Sequence, residues 1–226
     1  NTRLFVESCR RYPALIRYLE AVISMNLIKL VTGKPSENTY IVSENGVDAV
    51  IIDPGDDIQA INDALNENNL TCKAMLVTHA HFDHCNACRY FQINGAKVYM
   101  HKKDELLIKT VYNLANKFAV HFNRFIVDEH VKDGDVLSLY GLQFKVLHTP
   151  GHTEGSCCYV LNDNIIFSGD TLFNMSIGRT DFPTGNASHM KKSLKKLFSL
   201  EKDYTIFPGH GLPTKLLTEK NHNPYA

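Results

Sequence analysis

From residue 26 onward the chain alternates short apolar runs with segments of helical spacing. The runs are rich in β-branched and aromatic residues, which is typical of β-strands. Asn45-Gly46 lies between two of them and is typical of a hairpin turn. The predicted strands are 26–32, 39–43, 47–52, 74–77, 97–100, 136–139, 142–147, 157–161, 164–168 and 204–207.

Helical spacing fills most of the intervals between these strands. Ile58, Ile61 and Leu65 recur at helical intervals within residues 56–69, after an aspartate-rich start. The further predicted helical segments are 86–93, 103–120 and 188–199. Because the strands first meander and then alternate with helices, we expect an α/β fold in which helices cover both sides of two packed sheets.

Composition fits one soluble globular domain. The 226 residues are 44% hydrophobic and 21% charged, and 24 basic residues balance 24 acidic ones. This balance gives no reason to expect nucleic acid or an anionic membrane surface as a partner. No apolar run approaches the roughly 20 residues that a spanning helix needs. We therefore expect a cytoplasmic protein, monomeric or homodimeric, that acts on a small molecule.

The first 25 residues differ from the rest, since four arginines stand among apolar residues with two glutamates. Organelle-targeting peptides are rich in arginine and poor in acids, whereas an extension that packs as a short helix explains the same composition. We expect an N-terminal extension over residues 1–25, with Met25 as a natural start of the core, and a single domain over residues 26–226.

Six cysteines are too few for the disulfide framework of a small secreted protein, so reduced thiols are expected. Cys157 and Cys158 are adjacent in a predicted strand and should point to opposite faces. Cys85 and Cys88 have the spacing of a redox or extra metal site. We favour the interpretation that a helix buries both thiols.

A run of metal-ligand residues follows the strand that ends at Val77. Four of them lie within six positions: His79, His81, Asp83 and His84. Imidazole nitrogen and carboxylate oxygen are ligands for zinc, iron and manganese. The run offers enough groups for two ions, one on the first two histidines and one on the last two residues. A solvated polar turn is the alternative, and the density of ligands after a buried strand argues against it.

Three further candidate ligands follow other predicted strands. They are His152, Asp170 and His210, after the strands 142–147, 164–168 and 204–207. Each follows a glycine, which permits a close approach or an unusual backbone angle. One such residue alone would be an ordinary loop residue, but together with the run after Val77 they predict a seven-ligand site.

These strings, in this order, resemble the motifs of the metallo-β-lactamase superfamily across residues 26–210. The motifs are an aspartate after an early strand (Asp53 in Ile51-Ile52-Asp53-Pro54-Gly55), H-x-H-x-D-H, Gly-His, Gly-Asp and a final Gly-His. The resemblance implies a four-layer αββα sandwich and two divalent metal ions, for which zinc is expected and iron and manganese are alternatives.

The resemblance also implies a role for each candidate ligand. One metal would be held by His79, His81 and His152. The other would be held by Asp83, His84 and His210, with Asp170 bridging the two. Asp53 would orient a ligand histidine rather than bind metal itself.

Details of the motifs narrow the branch of the superfamily. Asp170 stands where the β-lactamases with a cysteine ligand carry that cysteine, so antibiotic hydrolysis is disfavoured. His81 stands where flavodiiron proteins carry glutamate, so a di-iron oxygen-reducing role is also disfavoured. The chain also lacks the long arm and the charge of a tRNA-processing endonuclease. Residues 167–173, 177–185 and 208–225 are similar to the corresponding loops of glyoxalase II-like hydrolases.

One departure from that group concerns the C-terminus. Full-length glyoxalase II enzymes carry a helical domain whose basic residues hold glutathione, and here 16 residues follow His210. The resemblance is therefore to a short, single-domain branch that lacks this glutathione contact. Arg179 and Asp181 lie in the similar loops, and we expect either an ion pair that braces the loop or a contact to substrate.

The resemblance implies hydrolysis of a thioester such as S-lactoylglutathione or a related acyl thioester. Two cations that share a water molecule lower the pKa of that water to about 7, which supplies hydroxide at neutral pH. Asp83 and Asp170 are expected to orient this nucleophile and move its proton. The section 103–124 is expected either to wall the pocket toward an anionic substrate or to form a solvated amphipathic helix. The basic residues considered for this contact are Lys109, Lys117, His121 and Arg124.

Three alternatives remain open. Persulfide dioxygenases share the fold and a Gly-Arg-Thr-Asp-Phe string, and the resemblance would then imply one iron at His79, His152 and Asp170. A lactonase would use the same site on a lactone carbonyl, and a non-catalytic module would only bind metal. The Gly-Leu-Pro-Thr string after His210 is typical of the hydrolases and favours hydrolysis.

Overall fold

The computed structural model describes residues 25–226, so the extension expected over residues 1–25 lies, except for Met25, outside the described residues. Two six-stranded sheets pack face to face, and helices cover the outer face of each. This arrangement confirms the expected α/β class and the four-layer αββα order. No helix in residues 25–226 combines the length and the apolar character needed to cross a membrane.

The first sheet joins an antiparallel meander to a parallel half. Its strands, in spatial order, are β1 (Asn26–Thr32), β2 (Glu37–Ser43), β3 (Asp48–Ile52), β4 (Thr71–Leu76), β5 (Lys97–His101) and β6 (Glu129–Val131). Neighbours from β1 to β3 are antiparallel, and those from β3 to β6 are parallel. Because β3, β4 and β5 run in one direction, the loops that follow them start at one edge of the sheet.

The second sheet has a corresponding edge. Its strands, in spatial order, are β14 (Thr214–Lys215), β13 (Thr205–Pro208), β10 (Ile165–Gly169), β9 (Cys157–Leu161), β8 (Leu142–His148) and β7 (Val136–Leu139), and β11 (Leu172–Phe173) pairs with β12 (Ser176–Ile177) in a separate hairpin. β8, β10 and β13 run in one direction, since β9 is antiparallel to its two neighbours and β13 is parallel to β10. The loops that follow β8, β10 and β13 therefore also start at one edge of their sheet.

Backbone hydrogen bonds join the two sheets at these edges. The amide of Cys157 donates to the carbonyl of Thr78 at 2.9 Å, and the amide of Asn38 donates to the carbonyl of Gly209 at 2.7 Å. The loops that carry the candidate ligands are thus tied across the sandwich by groups that do not depend on side-chain identity.

Alternation along the strands sorts side chains between the layers. In β2, Tyr40 and Val42 pack between the sheets, while Ile41 packs against the helices outside the first sheet. In β9, Cys157 faces the other sheet and Cys158 faces the outer helix layer, as expected for adjacent strand residues. Strands buried on both faces read as continuous apolar runs, and this explains the runs seen in the sequence.

The helices are short and mostly lie where the sequence predicts them. They are α1 (Ile58–Glu67), α2 (Phe82–Cys85), α3 (Cys88–Ile93), α4 (Glu105–Lys109), α5 (Ala187–Phe198) and α6 (Leu216–His222). Ile61 and Leu65 of α1 pack on the first sheet, and Met190 and Leu194 of α5 pack on the second. The sequence did not predict β6, β11, β12, β14, α2 and α6. Elements of only two to seven residues carry too little periodicity to be recognised.

The section 103–120 is the main difference from the predicted elements. Besides α4 it contains 3-10 turns at Lys102–Asp104, Val111–Asn113 and Ala115–Phe118 instead of a continuous helix. The hydroxyl of Thr110 accepts the amide of Tyr112, and the side chain of Asn113 accepts the amide of Ala115. Such local bonds compete with helical hydrogen bonding, so apolar spacing alone overestimated the helix here.

Tyr159→Phe tests the polar connection between the sheets. The buried hydroxyl of Tyr159 donates to the carbonyl of Val77 at 3.0 Å, and phenylalanine would keep the packing but remove this donor from a dry interior. We expect the free energy of unfolding to fall by about 1–3 kcal/mol, measured by urea denaturation. Tyr40→Phe is the matched control, because the carbonyl of Pro208 would keep its second donor, Asn38. Equal losses in the two variants would contradict this account.

Candidate metal centre

All seven candidate ligands lie at the shared edge of the two sheets. The run after β4 supplies four of them, and α2 begins inside that run, so Asp83 and His84 share one helical turn. The loops after β8, β10 and β13 supply His152, Asp170 and His210. Six of the seven are buried, and His210 is partly exposed. The structure thus brings together every residue that the sequence analysis placed in the site.

Three histidines form the first cluster, which we call the three-histidine group (His79, His81 and His152). The Nδ1 atom of His81 lies 3.0 Å from Nε2 of His79 and 2.9 Å from Nε2 of His152. Three converging imidazole nitrogens are a common protein site for a divalent transition metal. The group contains no carboxylate of its own.

Asp83, His84 and His210 form the second cluster, the Asp-His-His group. Nε2 of His84 lies 3.3 Å from Nε2 of His210 and 3.8 Å from Oδ2 of Asp83. Nε2 of His210 lies 3.4 Å from the same carboxylate oxygen. These three side chains can therefore offer two nitrogens and one oxygen to one ion.

Asp170 stands between the two groups. Its Oδ1 lies 3.4 Å from Nε2 of His84, and its Oδ2 lies 3.4 Å from Nε2 of His152 and 3.7 Å from Nε2 of His210. Oδ1 is buried and has no hydrogen-bond partner within residues 25–226. A buried carboxylate oxygen without a donor is costly, and a cation at this point would relieve that cost.

The outward nitrogens of three histidines fix the direction of their inward lone pairs. Nδ1 of His84 bonds Oδ2 of Asp53 at 2.9 Å, Nδ1 of His152 bonds the carbonyl of Arg179 at 2.7 Å, and Nδ1 of His210 bonds the carbonyl of Ser36 at 2.8 Å. Oxygens of this kind only accept, so Nδ1 must carry the proton. In the neutral imidazole, each Nε2 then has its lone pair toward the centre, and the donor set fits bound metal.

Asp53 lies behind the centre rather than in it. It follows β3 with a positive φ of 49° and accepts the amide of Thr78 at 2.6 Å and the hydroxyl of Thr78 at 2.7 Å. Its remaining contact is the 2.9 Å bond to His84. This geometry agrees with the expected role of orienting a ligand histidine.

Electrostatics differ between the two groups. Burial and the neighbouring imidazoles hold the pKa values of His79 and His81 well below the ordinary histidine value. Burial also acts to lower the pKa of His84, but the carboxylates of Asp170 and Asp83 raise it well above that value. Burial also holds the pKa of His152 below the ordinary histidine value, so the imidazoles of the three-histidine group are neutral near pH 7 with their lone pairs free.

Glu37 is a residue of this region that the sequence did not reveal. It is fully buried at the start of β2, and its Oε2 accepts the hydroxyls of Thr32 and Thr39, each at 2.9 Å. Its Oε1 lies 3.9 Å from Nδ1 of His84. Burial raises the pKa of Glu37 well above the ordinary value. The predicted strand began at residue 39, two residues after Glu37, so the sequence carried no signal that this acid lies in β2.

Gly209 shows why a glycine precedes a ligand. A Cβ at this position would lie 2.4 Å from Oδ1 of Asp170 and 2.6 Å from Cε1 of His84. No side chain fits between the two groups here. The close approach that the Gly-His pair suggested in the sequence is present at His210.

A cavity of about 400 Å³ opens over the two groups. Apart from the ligands, its walls are apolar except for Arg179. The apolar residues are Pro35, Phe82, Leu114, Phe118, Phe173 and Phe182. Leu114 and Phe118 come from the section 103–124, which therefore does wall the pocket. Its basic residues do not line the cavity: Lys109 contacts Glu105, Lys117 lies 5.0 Å from the ring centre of Phe182, and His121 and Arg124 are exposed.

Arg179 and Asp181 pair with each other at the cavity mouth. The guanidinium donates to both carboxylate oxygens, at 2.7 and 2.5 Å, and lies 4.0 Å from the ring centre of Phe182. Both side chains are exposed, so the pair contributes little to stability. The backbone carbonyl of Arg179, which the sequence did not single out, is the group that bonds His152.

Cys85 and Cys88 are fully buried beside the site. The thiol of Cys85 bonds the carbonyl of His81 at 3.1 Å, and burial raises the pKa values of both thiols well above the ordinary value. Buried thiols of high pKa are poor nucleophiles, which agrees with the structural interpretation rather than a redox one.

The chain matches known proteins over most of its length. A family model described as Metallo-beta-lactamase superfamily matches residues 32–210. Hydroxyacylglutathione hydrolase GloC of Haemophilus influenzae is 33% identical over 195 residues, which cover 84% of this chain and 92% of GloC.

Solved structures with the same fold carry several different titles. BLEG-1 B3 metallo-beta-lactamase has a TM-score of 0.83 and 32% identity, covering 88% of this chain and 99% of its own. TTHA1623 in a di-iron-bound form has a TM-score of 0.79 and 33% identity, covering 88% and 100%. ETHE1 from Myxococcus xanthus has a TM-score of 0.72 and 30% identity, covering 88% and 84%.

Asp53→Asn tests the support behind the centre. An amide can turn only one acceptor oxygen toward the three donors that Asp53 now satisfies, so His84 would lose its fixed orientation. We expect about 10–100-fold weaker binding of one divalent ion, measured by competition with a chromogenic chelator. Asp63→Asn, an exposed change on α1, is the control and should bind as the wild type does. Unchanged affinity in Asp53→Asn would show that Asp53 does not support the centre.

Proposed function

This chain belongs to the metallo-β-lactamase superfamily, and from that premise we propose that it is a binuclear metallohydrolase that cleaves acyl thioesters such as S-lactoylglutathione or a related compound. The observation that carries the proposal is the position of Asp170. Its two oxygens lie 3.4 Å from His84 and from His152, so one carboxylate approaches both ligand groups. A site for a single ion would leave the Asp-His-His group without a role.

Zinc is the ion that we propose, with iron and manganese as alternatives, since imidazole and carboxylate ligands accept all three. The three-histidine group would hold one ion, the Asp-His-His group the other, and Asp170 would contact both. When bound, two divalent ions polarise a substrate carbonyl and lower the pKa of a shared water molecule. The similarity to a di-iron structure supports two ions without choosing between metals.

Asp83 and Asp170 are the residues that we propose to act on protons. They would orient the attacking water by hydrogen bonds, accept its proton and return it to the departing thiolate. Oδ1 of Asp170 has no competing donor within the described residues. Phe82, Phe118 and Phe182 line the cavity and would keep bulk water from the scissile carbonyl. No serine or cysteine nucleophile is required.

For the loop residues Arg179 and Asp181 we propose a bracing role. Each satisfies the other in a two-bond pair, and the guanidinium covers one face of Phe182. The pair would brace the loop beside Phe182 at the cavity mouth. A substrate carboxylate would have to displace Asp181 in order to reach Arg179.

Three other activities are alternatives to thioester hydrolysis. The similarity to ETHE1 supports a persulfide dioxygenase with one iron at His79, His152 and Asp170. A lactonase would attack a carbonyl in the same way. The similarity to BLEG-1 supports testing a β-lactam as a further substrate. The intact Asp-His-His group favours the hydrolase over the dioxygenase.

Metal content and a substrate panel test the proposed function. We expect about two divalent ions per chain, with turnover of acyl thioesters above that of a lactone, a β-lactam and glutathione persulfide. His84→Ala should lower kcat/KM for the thioester by at least 100-fold, because it removes a ligand. His222→Ala, an exposed histidine on α6, is the matched control. One iron per chain with oxygen consumption on the persulfide would refute the hydrolase.

The apolar cavity leads to a prediction about the substrate. Within residues 25–226, the cavity walls outside the ligands and Arg179 offer no side-chain hydrogen bond. An apolar acyl group should therefore be hydrolysed faster than a hydroxyacyl group on the same thiol. Phe118→Ala should lower kcat/KM for the apolar thioester on the order of 10-fold and change acetyl turnover little. Val111→Ala, exposed on the same segment, is the control. Equal losses for acetyl and longer substrates would contradict acyl recognition by this wall.

A further inference from the structure

Asp104 is a buried carboxylate that lies outside the seven candidate ligands. It is fully buried, it ends the 3-10 turn Lys102–Asp104 after β5, and it immediately precedes α4. Aspartates at this position commonly cap their own helix, but the side chain of Asp104 makes no such bond. Its hydrogen bonds go to two other segments of the chain.

Three donors from those segments surround the carboxylate. Oδ2 accepts the amide of Ala80 at 3.0 Å and the hydroxyl of Thr153 at 2.7 Å, and Oδ1 accepts the amide of Gly155 at 2.6 Å. Burial raises the pKa of Asp104 to about 6, while these three bonds act to lower it. A carboxylate held from both of its oxygens has one allowed orientation.

The donors adjoin the ligands of one group only. Ala80 stands between His79 and His81, and Thr153 directly follows His152. His79, His81 and His152 are the three members of the three-histidine group, and they reach the site on two loops from different sheets. Asp83 and His84 instead lie in α2, and His210 follows β13. Asp104 therefore connects the two loops of the three-histidine group and bonds none of the donors beside His210.

The close packing at Gly155 is a second, independent sign that this contact is built in. A Cβ on Gly155 would lie 2.5 Å from Oδ1 and 2.7 Å from Cγ of Asp104. Any side chain at 155 would push the carboxylate away or move the loop. Thr153 is held in addition by Ser156, whose hydroxyl accepts the amide of Thr153 at 3.0 Å.

We propose that Asp104 is a positioning residue that sets the distance between the loops 79–81 and 152–155, so that the nitrogens of the three-histidine group meet at 2.9–3.0 Å. It acts on that group through the backbone and touches no ligand side chain. The inference rests on the proposed metal centre and is independent of which reaction the centre catalyses.

Stepwise zinc affinity measures this role without turnover. In a His210→Ala background, which leaves the three-histidine group complete, Asp104→Asn should weaken zinc binding by about 10–100-fold, because an amide nitrogen would face a donor. In a His152→Ala background, where the Asp-His-His group remains, the same change should alter affinity less than about 2-fold. The difference between backgrounds is a double-mutant coupling that a purely structural role would not produce.

Two further variants keep the test decisive if Asp104→Asn folds poorly. Gly155→Ala leaves the carboxylate in the chain but displaces it, and Thr153→Val removes one of the three donors. Both should weaken the three-histidine group selectively. Asp128→Asn is the matched control, because the carboxylate of Asp128 accepts the amide of Val98 on β5 and the side-chain amide of Gln92 on α3. Neither donor belongs to a ligand loop.

The results that would contradict the positioning role of Asp104 differ from those that would contradict the binuclear metal centre. If single-site zinc affinity is unchanged in all three variants, or falls equally in both backgrounds with a lower melting temperature of the metal-free protein, the positioning role is refuted while the metal centre stands. If the His210→Ala protein binds no zinc although the wild type binds one ion, the three-histidine group is not a site, and this inference fails with the binuclear proposal.

Discussion

Five imidazoles and two carboxylates share a nearly dry site, and the remainder of the fold keeps their lone pairs directed inward. Polar groups in such a place are costly unless each has a partner. The outward nitrogens of His84, His152 and His210 meet a carboxylate or a carbonyl, so only the inward atoms are left for a ligand. Parallel strands make this possible, because the loops after them start at the same edge of each sheet. The site is thus a property of strand direction as much as of residue type.

Much of this could be predicted from the sequence, because ligand residues and strand ends are both local signals. The seven candidate ligands and Asp53 lie in segments that follow apolar runs, and the structure brings them together. What could not be predicted depends on contacts between distant segments. Glu37 lies inside a strand, and Asp104 follows β5 but bonds two loops far from it in sequence. The section 103–120 was predicted as largely helical because periodicity does not account for the side chains that compete for backbone hydrogen bonds.

The two ligand groups differ in how their surroundings hold them. The Asp-His-His group lies next to Asp53, so one of its histidines is held by a side-chain carboxylate. The three-histidine group is neutral, and the supports identified for it are backbone groups and one buried carboxylate. Proteins of one fold can therefore change one group while keeping the other.

The contact between Arg179 and His152 has a consequence for how such a site can diversify. The carbonyl that fixes the imidazole belongs to the backbone, while the side chain of the same residue lies on Phe182 at the cavity mouth. Any amino acid with a compatible backbone angle would supply the same carbonyl. Substitutions of Arg179 can therefore change the substrate preference during evolution without changing the orientation of His152. Catalytic geometry and substrate preference are separable here within a single residue.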